Sequence, residues 1–309
     1  MSRPLMRLCP AILSLFLALP APPTAAAGAL SSGETARLHE VDDPASKTRR
    51  FWTEERMLAA ENNDRAAGDA SGSSTLSDGD GGIPYTREEI STDGDSAYIT
   101  HGRIFFRSEG RSYTCSGTVI TTDNRSVVWT AGHCVNHGGD RWANKWIFVP
   151  GYDDGEAPYG KWTAQTLAAP RGWINHGSSA YDIGAAILNP NARGEYIADV
   201  VGSLGIAWNL PRRQEFTVYG YPAAGLFTGG SLWACRSAYG WSDPIPGPNP
   251  LAVGCNLPYG SSGGGWVVEL SDGLYLNSVT SYSHVGERHV VYGPYFGDAA
   301  ASLYERVSG

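Results

Sequence analysis

The chain lacks the marks of several protein classes. Only 17% of its 309 residues are charged, and 23 Lys+Arg against 31 Asp+Glu leave a formal net charge of −8. Gripping a nucleic-acid backbone takes a basic stripe, so nucleic acid is not an expected partner. Beyond the first 27 residues no apolar run approaches the roughly 20 residues that a membrane-spanning helix needs, so no stable membrane association is expected once that stretch is removed. No apolar run is followed by a convincing long helix, which disfavours a parallel α/β sheet. Internal repeats are absent. Cysteine is scarce, at 5 residues.

What is abundant is glycine and aromatic side chains, with 39 Gly, 19 Pro, 16 Tyr and 10 Trp. That composition favours short strands and turns. From about residue 96 short apolar runs follow one another: Gly102–Phe106, Cys115–Ile120, Ser126–Thr130, Trp146–Val149, Ile183–Leu188, Glu215–Gly220, Trp266–Leu270 and Leu276–Thr280. Turn-formers such as Thr122-Asp123-Asn124, Asn189-Pro190-Asn191 and Ser271-Asp272-Gly273 separate them. The pattern is that of an all-β barrel or sandwich. Ala299–Val307 reads as a short terminal helix.

The N-terminal third differs. Residues 1–27 carry Arg3 and Arg7, an apolar core from Ala11 to Leu19, helix-breaking prolines and then Ala25-Ala26-Ala27, the layout of an export signal cleaved before Gly28. Residues 28–95 hold 15 Asp/Glu against 7 Lys/Arg, whereas the rest of the chain is balanced. Glu54–Arg65 could form a short helix with Phe51, Met57 and Leu58 as its large apolar residues. The stretch 68–82 is Gly/Ser/Asp-rich, of linker composition. The segment is expected to be an acidic pro-segment ending in a flexible linker, the other reading being a solvated tail that is kept. Cys9 leaves with the signal, so Cys115, Cys134, Cys235 and Cys255 remain, an even number that in an exported chain implies two disulfides with three possible pairings. Asn124-Arg125-Ser126 is a glycosylation sequon, with meaning only in a eukaryotic secretory route.

Three stretches carry chemistry. In Trp129-Thr130-Ala131-Gly132-His133-Cys134 an apolar strand ends, small residues allow a tight turn, and an imidazole projects beside a cysteine. Cys115 is a natural partner for that cysteine, because the loop between them is short. In Tyr181-Asp182-Ile183 an acid opens a near-continuous apolar run, and a buried carboxylate needs a partner such as an imidazole. Tyr259-Gly260-Ser261-Ser262-Gly263-Gly264 places serines among glycines ahead of a strand. Gly-x-Ser-x-Gly also marks the nucleophile elbow of α/β-hydrolases, but that fold needs serine before acid before histidine and a parallel sheet. His133 and His137 are not followed by the glutamate of a zinc-protease helix, so no metal is expected.

Taken together, Thr130–Cys134, Asp182–Leu188 and Gly260–Gly264 resemble the three motifs of chymotrypsin-like serine proteases, in that family's order. Phe148–Tyr152, Tyr219–Pro222 and Cys255 make the chain most similar to bacterial secreted enzymes related to the V8-type glutamyl endopeptidases. The resemblance covers about residues 96–305. It implies two six-stranded antiparallel β-barrels, 96–205 and 206–309, with the active site between them. It implies a secreted, monomeric endopeptidase that acts on protein or peptide through an acyl-enzyme, without a cofactor. Ser262 would be the nucleophile, His133 the base and Asp182 its orienting carboxylate, with the Gly260 and Ser262 N–H groups as the oxyanion hole. The alternatives are a catalytically silent binding protein and an esterase on the same fold. The family's cysteine shortly before the serine motif implies Cys235–Cys255, beside Cys115–Cys134. The pocket floor falls on Asn256, so the Asp of a tryptic pocket is missing. The pocket strand falls on Ser281, Tyr282 and Ser283, followed by His284, which either faces an acidic side chain of the substrate or is an exposed loop histidine. Ser261 stands where many relatives carry an acid, which removes activation by a new N-terminus pairing with that acid. Gly265 replaces a common proline.

Overall fold

The computed structural model describes residues 35–70, 82–92 and 96–309. The expected export signal and the Gly/Ser-rich stretch from 71 to 81 lie outside them. Fifteen strands account for most of the architecture. In the first half they are β1 (Ala36–Glu40), β2 (Tyr85–Glu89), β3 (His101–Ser108), β4 (Arg111–Ile120), β5 (Val127–Thr130), β6 (Asn144–Pro150), β7 (Trp162–Pro170) and β8 (Gly184–Leu188). In the second half they are β9 (Gly205–Ile206), β10 (Glu215–Gly220), β11 (Trp233–Ser242), β12 (Leu251–Gly254), β13 (Gly265–Leu270), β14 (Gly273–Val279) and β15 (Val290–Gly293). The helices are α1 (Ala45–Phe51), α2 (Glu54–Ala70), α3 (Ser96–Thr100), α4 (Arg171–His176), α5 (Ile197–Val201) and α6 (Asp298–Val307), all but α2 short.

The first sheet runs β1-β7-β6-β3-β4-β5-β8, and a further β7–β8 pairing closes its last six strands into an antiparallel barrel. Closure removes the open edges that a sheet of this length would otherwise present. Its core is filled by side chains such as Val119, Val128, Trp129, Phe148, Leu167 and Ala186. The second sheet runs β15-β12-β11-β10-β13-β14-β9, with β2 along the first half of β11. Past the end of β14 the chain meets β15 again: Ser281 N–H donates to Tyr292 O at 2.9 Å and Tyr292 N–H to Tyr282 O at 2.8 Å. Phe216, Val218, Val253, Trp266 and Val268 fill this second core. α6 returns to the first barrel, where Leu303 and Val307 join its core. The expected all-β, two-barrel architecture is thus observed, with β1, β2 and β9 added to its twelve strands. Among the described residues no helix is long and apolar enough to cross a membrane.

Residues 35–70 and 82–92 contact both barrels. β1 pairs with β7, and β2 with β11, so each barrel carries one added N-terminal strand. Between them, Trp52, Met57 and Ala60 enter a cluster that also contains Phe105, Ile147 and Tyr152 of the first barrel and Tyr219, Tyr221 and Val267 of the second. Trp52 is wholly buried, and its indole N–H donates to Lys145 O. It lies between α1 and α2. Glu61 of α2 reaches Arg103 of β3, with 3.3 Å between Oε1 and Nε and side chains 4% and 0% exposed. Burial raises the Glu61 carboxyl above its ordinary value, and Arg103 pulls it back. The sequon asparagine Asn124 is engaged, since its amide donates to Val307 O at 2.6 Å.

Truncating a large aromatic in a filled core costs about 3–5 kcal/mol. Trp52→Ala is therefore expected to lower unfolding free energy by about that amount, read by urea denaturation, although Trp52 belongs to neither barrel.

Candidate active site

β5 ends at Thr130, Ala131 stays extended, and Gly132–Cys134 form one 3₁₀ turn. A disulfide from Cys134 to Cys115 of β4 pins that turn, and a second joins Cys235 of β11 to Cys255, as expected. Gly132 has to be small, because a Cβ there would stand 2.7 Å from Trp173 and 2.9 Å from the Asp182 carboxylate. Asp182 follows another 3₁₀ turn, Ser179–Tyr181, at the mouth of β8, and is 2% exposed.

That buried carboxylate is held from three directions. Its Oδ1 accepts the His133 backbone N–H at 2.8 Å, and its Oδ2 accepts the His133 ring Nδ1–H at 2.8 Å. Oδ2 also accepts the Ser281 hydroxyl, which comes from the second sheet. Burial alone would disfavour charge on both partners, but their mutual attraction and these hydrogen bonds prevail. The His133 imidazole is held above its ordinary value and the Asp182 carboxyl below its own. With Nδ1 bound to Asp182, His133 presents Nε2 to the cleft.

Ser262 sits on the loop before β13. Gly260 has φ of 90° and Gly263 of 77°, the left-handed region where a side chain is strained. A Cβ on Gly263 would also stand 2.0 Å from the Thr130 hydroxyl. β4 of the first barrel grips this loop: Ser116 N–H donates to Ser262 O at 2.7 Å, and the Ser116 hydroxyl donates to Gly260 O at 2.9 Å. The same hydroxyl accepts Tyr221 N–H at 2.9 Å. The N–H groups of Gly260 and Ser262 donate to no acceptor among the described residues. Ser261, 1% exposed, turns its hydroxyl to the carbonyls of Leu257 at 2.7 Å and Pro258 at 2.6 Å. A carboxylate here would set acceptor against acceptor, so the missing acid has a local cause.

His133, Asp182 and Ser262 line one cleft of about 600 Å³ between the sheets. Trp173, Leu257 and Pro258 form part of its wall, with Ser281, Tyr282, Ser283 and His284 along one side. Asn256 is not on that wall. It is 8% exposed, and neither side-chain atom has a hydrogen-bond partner. His284 is half-exposed but not free: its Nε2 lies 2.8 Å from Asp243 Oδ2, which also accepts the Tyr282 hydroxyl at 2.7 Å. Sequence reasoning did not single out Ser116, Arg103 or Asp243. Each is an isolated polar residue in a strand or at its end, and only long-range pairing reveals what it binds.

Comparison with models of protein families finds no match. The protease Anisep from Arthrobacter nicotinovorans is 39% identical in sequence, with a TM-score of 0.66 over 72% of this chain and 99% of that one. A thermostable serine protease, AL20, from an extremophilic microorganism is 35% identical, with a TM-score of 0.64 over 69% of this chain and 98% of that one. An extracellular metalloprotease of Bacillus subtilis (strain 168) is 28% identical over 134 residues, which span 42% of this chain and 40% of that protein. A Glu endopeptidase shares the fold at 20% identity, with a TM-score of 0.55 over 74% of this chain and 98% of that one. The chain belongs to the chymotrypsin-like serine proteases. Among the described residues the one candidate metal-binding group is Cys115, His133 and Cys134, whose sulfurs are bonded to each other.

The pair has a defined pH window. The histidine's share of the stabilisation is full below 6.5 and is lost as pH rises through the raised His133 value. The aspartate's share is full above 3.8 and is lost as pH falls through the lowered Asp182 value. A ¹H NMR titration of His133 should give a midpoint above 6.5, and Asp182→Asn should bring it down.

Proposed function

We propose that the protein is an exported serine endopeptidase that cleaves polypeptides through an acyl-enzyme on Ser262. The observation that carries this reading is the double grip of Asp182 on His133 in the same cleft as Ser262, whose loop carries two uncommitted amides, those of Gly260 and Ser262. His133 Nε2 takes the Ser262 proton as Oγ attacks the scissile carbonyl, while Nδ1–H stays bonded to Asp182. The new oxyanion is met by the Gly260 and Ser262 N–H groups, each such donor contributing roughly 3–4 kcal/mol to the transition state. His133 then passes its proton to the leaving amine, and an ester to Ser262 remains. Water attacks that ester, His133 takes the water's proton, and the acid product leaves with Ser262 restored. The raised imidazole suits a base that must hold a proton between steps.

The export reading is supported by the N-terminal layout and by two disulfides in a chain of this length. The cleft supports a polypeptide substrate, because its walls come from both sheets and extend past Ser262 along Ser281–His284. A glutamyl preference is not favoured. The histidine that would meet a substrate carboxylate is bonded to Asp243, whose charge would oppose that carboxylate.

A fluorophosphonate probe should label Ser262 in the folded protein, and Asp182→Asn should slow turnover by about 10⁴-fold. Ser262→Ala should abolish labelling and lower kcat by about 10⁶-fold. A peptide library should be cut without a requirement for Glu, Asp, Arg or Lys at the scissile position. Failure of Ser262 to label would favour a silent binding protein, and hydrolysis of small esters with no peptide cleaved would favour an esterase.

A further inference from the structure

Among the described residues, none of the segment expected to be a removable pro-segment lines the cleft, whose walls run from His133 to Val291. It instead fills the seam between the barrels with Trp52, Met57, Ala60 and Glu61, all 3% exposed or less. The one buried charge among its described residues, Glu61, meets Arg103, which is wholly buried and bonded in three other directions. Nη1–H donates to Tyr221 O at 2.7 Å and to Gly229 O at 2.8 Å, and Nη2–H to Thr114 Oγ1 at 2.6 Å. Tyr221 in turn leads to the serine loop. Its N–H donates to Ser116 Oγ, whose own proton goes to Gly260 O. The packing around Gly260 is equally tight, since a Cβ there would stand 2.5 Å from Tyr221 O. An ion pair from Glu61 to Arg103, followed by hydrogen bonds through Tyr221 and Ser116, thus links α2 to the carbonyl of Gly260, the residue whose N–H would face the oxyanion.

We propose that Arg103 is a positioning residue for the oxyanion loop and that Glu61 holds it in place, which makes residues 45–70 an activating part of the fold and not an inhibitor of the cleft. The physical reason is that a guanidinium without a counter-charge at this depth carries a heavy desolvation penalty. Without Glu61 it would turn toward water and release the carbonyls of Tyr221 and Gly229. Tyr221 could then shift, and with it the Gly260 N–H. The ground-state walls of the cleft do not include Tyr221, so the loss falls on the transition state. The inference rests on the reading of Ser262 as nucleophile.

Glu61→Gln leaves the shape of the seam and removes the counter-charge. In the full chain it should lower kcat at least tenfold on a peptide substrate, with KM within twofold, and slow fluorophosphonate labelling of Ser262 in parallel. Such a split marks an interaction made only in the transition state. The double variant Glu61→Met with Arg103→Met removes both charges, a change buried pairs often tolerate. It should melt within a few degrees of the wild type and still show the low kcat, which separates positioning from stability; it also carries the test alone if Glu61→Gln does not fold. Either variant, folded and turning over at the wild-type rate, overturns the proposal. A wild-type protein that neither labels nor cleaves defeats the serine-peptidase reading itself, whereas an active wild type with unchanged variants defeats this inference alone.

Discussion

The carboxylate of Asp182 is buried between two sheets, and a bare charge at that depth is not tolerated. Its three partners explain much of the surrounding construction. His133 supplies two of them, which is why its turn is one 3₁₀ step long and why Gly132 has no side chain. Ser281 supplies the third from the opposite sheet, so the carboxylate also ties the halves of the cleft together. The Cys115–Cys134 bond keeps the turn from drifting away from the acid it must meet.

Ser262 depends on the other barrel in the same way. Its loop is hung from Ser116 of β4 through two hydrogen bonds and is tied to Thr280 through Gly263 N–H at 2.7 Å. The loop of Ser262 and the strand that leads to His133 therefore share one strand of the first barrel. Ser261 completes the arrangement from below, where its hydroxyl satisfies carbonyls that a carboxylate would repel. The seam behind this loop is closed by Trp52, Met57 and Glu61, from outside both barrels.

Much of this was legible before folding because it is local. Runs such as Glu215–Gly220 are contiguous and apolar, and their strand bounds match or fall within a few residues. The glycines around Ser262 announce a turn whatever surrounds it. Other elements carried no such signal. β1 and β2 are mixed, Ala-Arg-Leu-His-Glu and Tyr-Thr-Arg-Glu-Glu, and become strands only because β7 and β11 offer them a partner. β7 and β11 interleave alanine, threonine and serine with the larger residues and so have no clear period. Composition marks the N-terminal segment as an acidic pro-segment with a linker and gives no sign that Trp52 and Glu61 in it are buried. Composition averages over a segment, whereas packing selects single residues.

By itself the sequence determined which residues have chemistry to offer: an imidazole after a tight turn, an acid at the mouth of an apolar run, a serine among glycines, and cysteines placed near two of them. Each of these signals spans only a few residues, where chain geometry is set by local sterics. Only the tertiary structure decided what each of them faces. It turned His284 onto Asp243, drew Asn256 off the cleft wall, and brought Arg103 to the carbonyls of Tyr221 and Gly229 with Glu61 across from it. Those outcomes depend on contacts between residues tens to hundreds of positions apart, and a buried polar group takes whichever partner the packed sheets bring within reach.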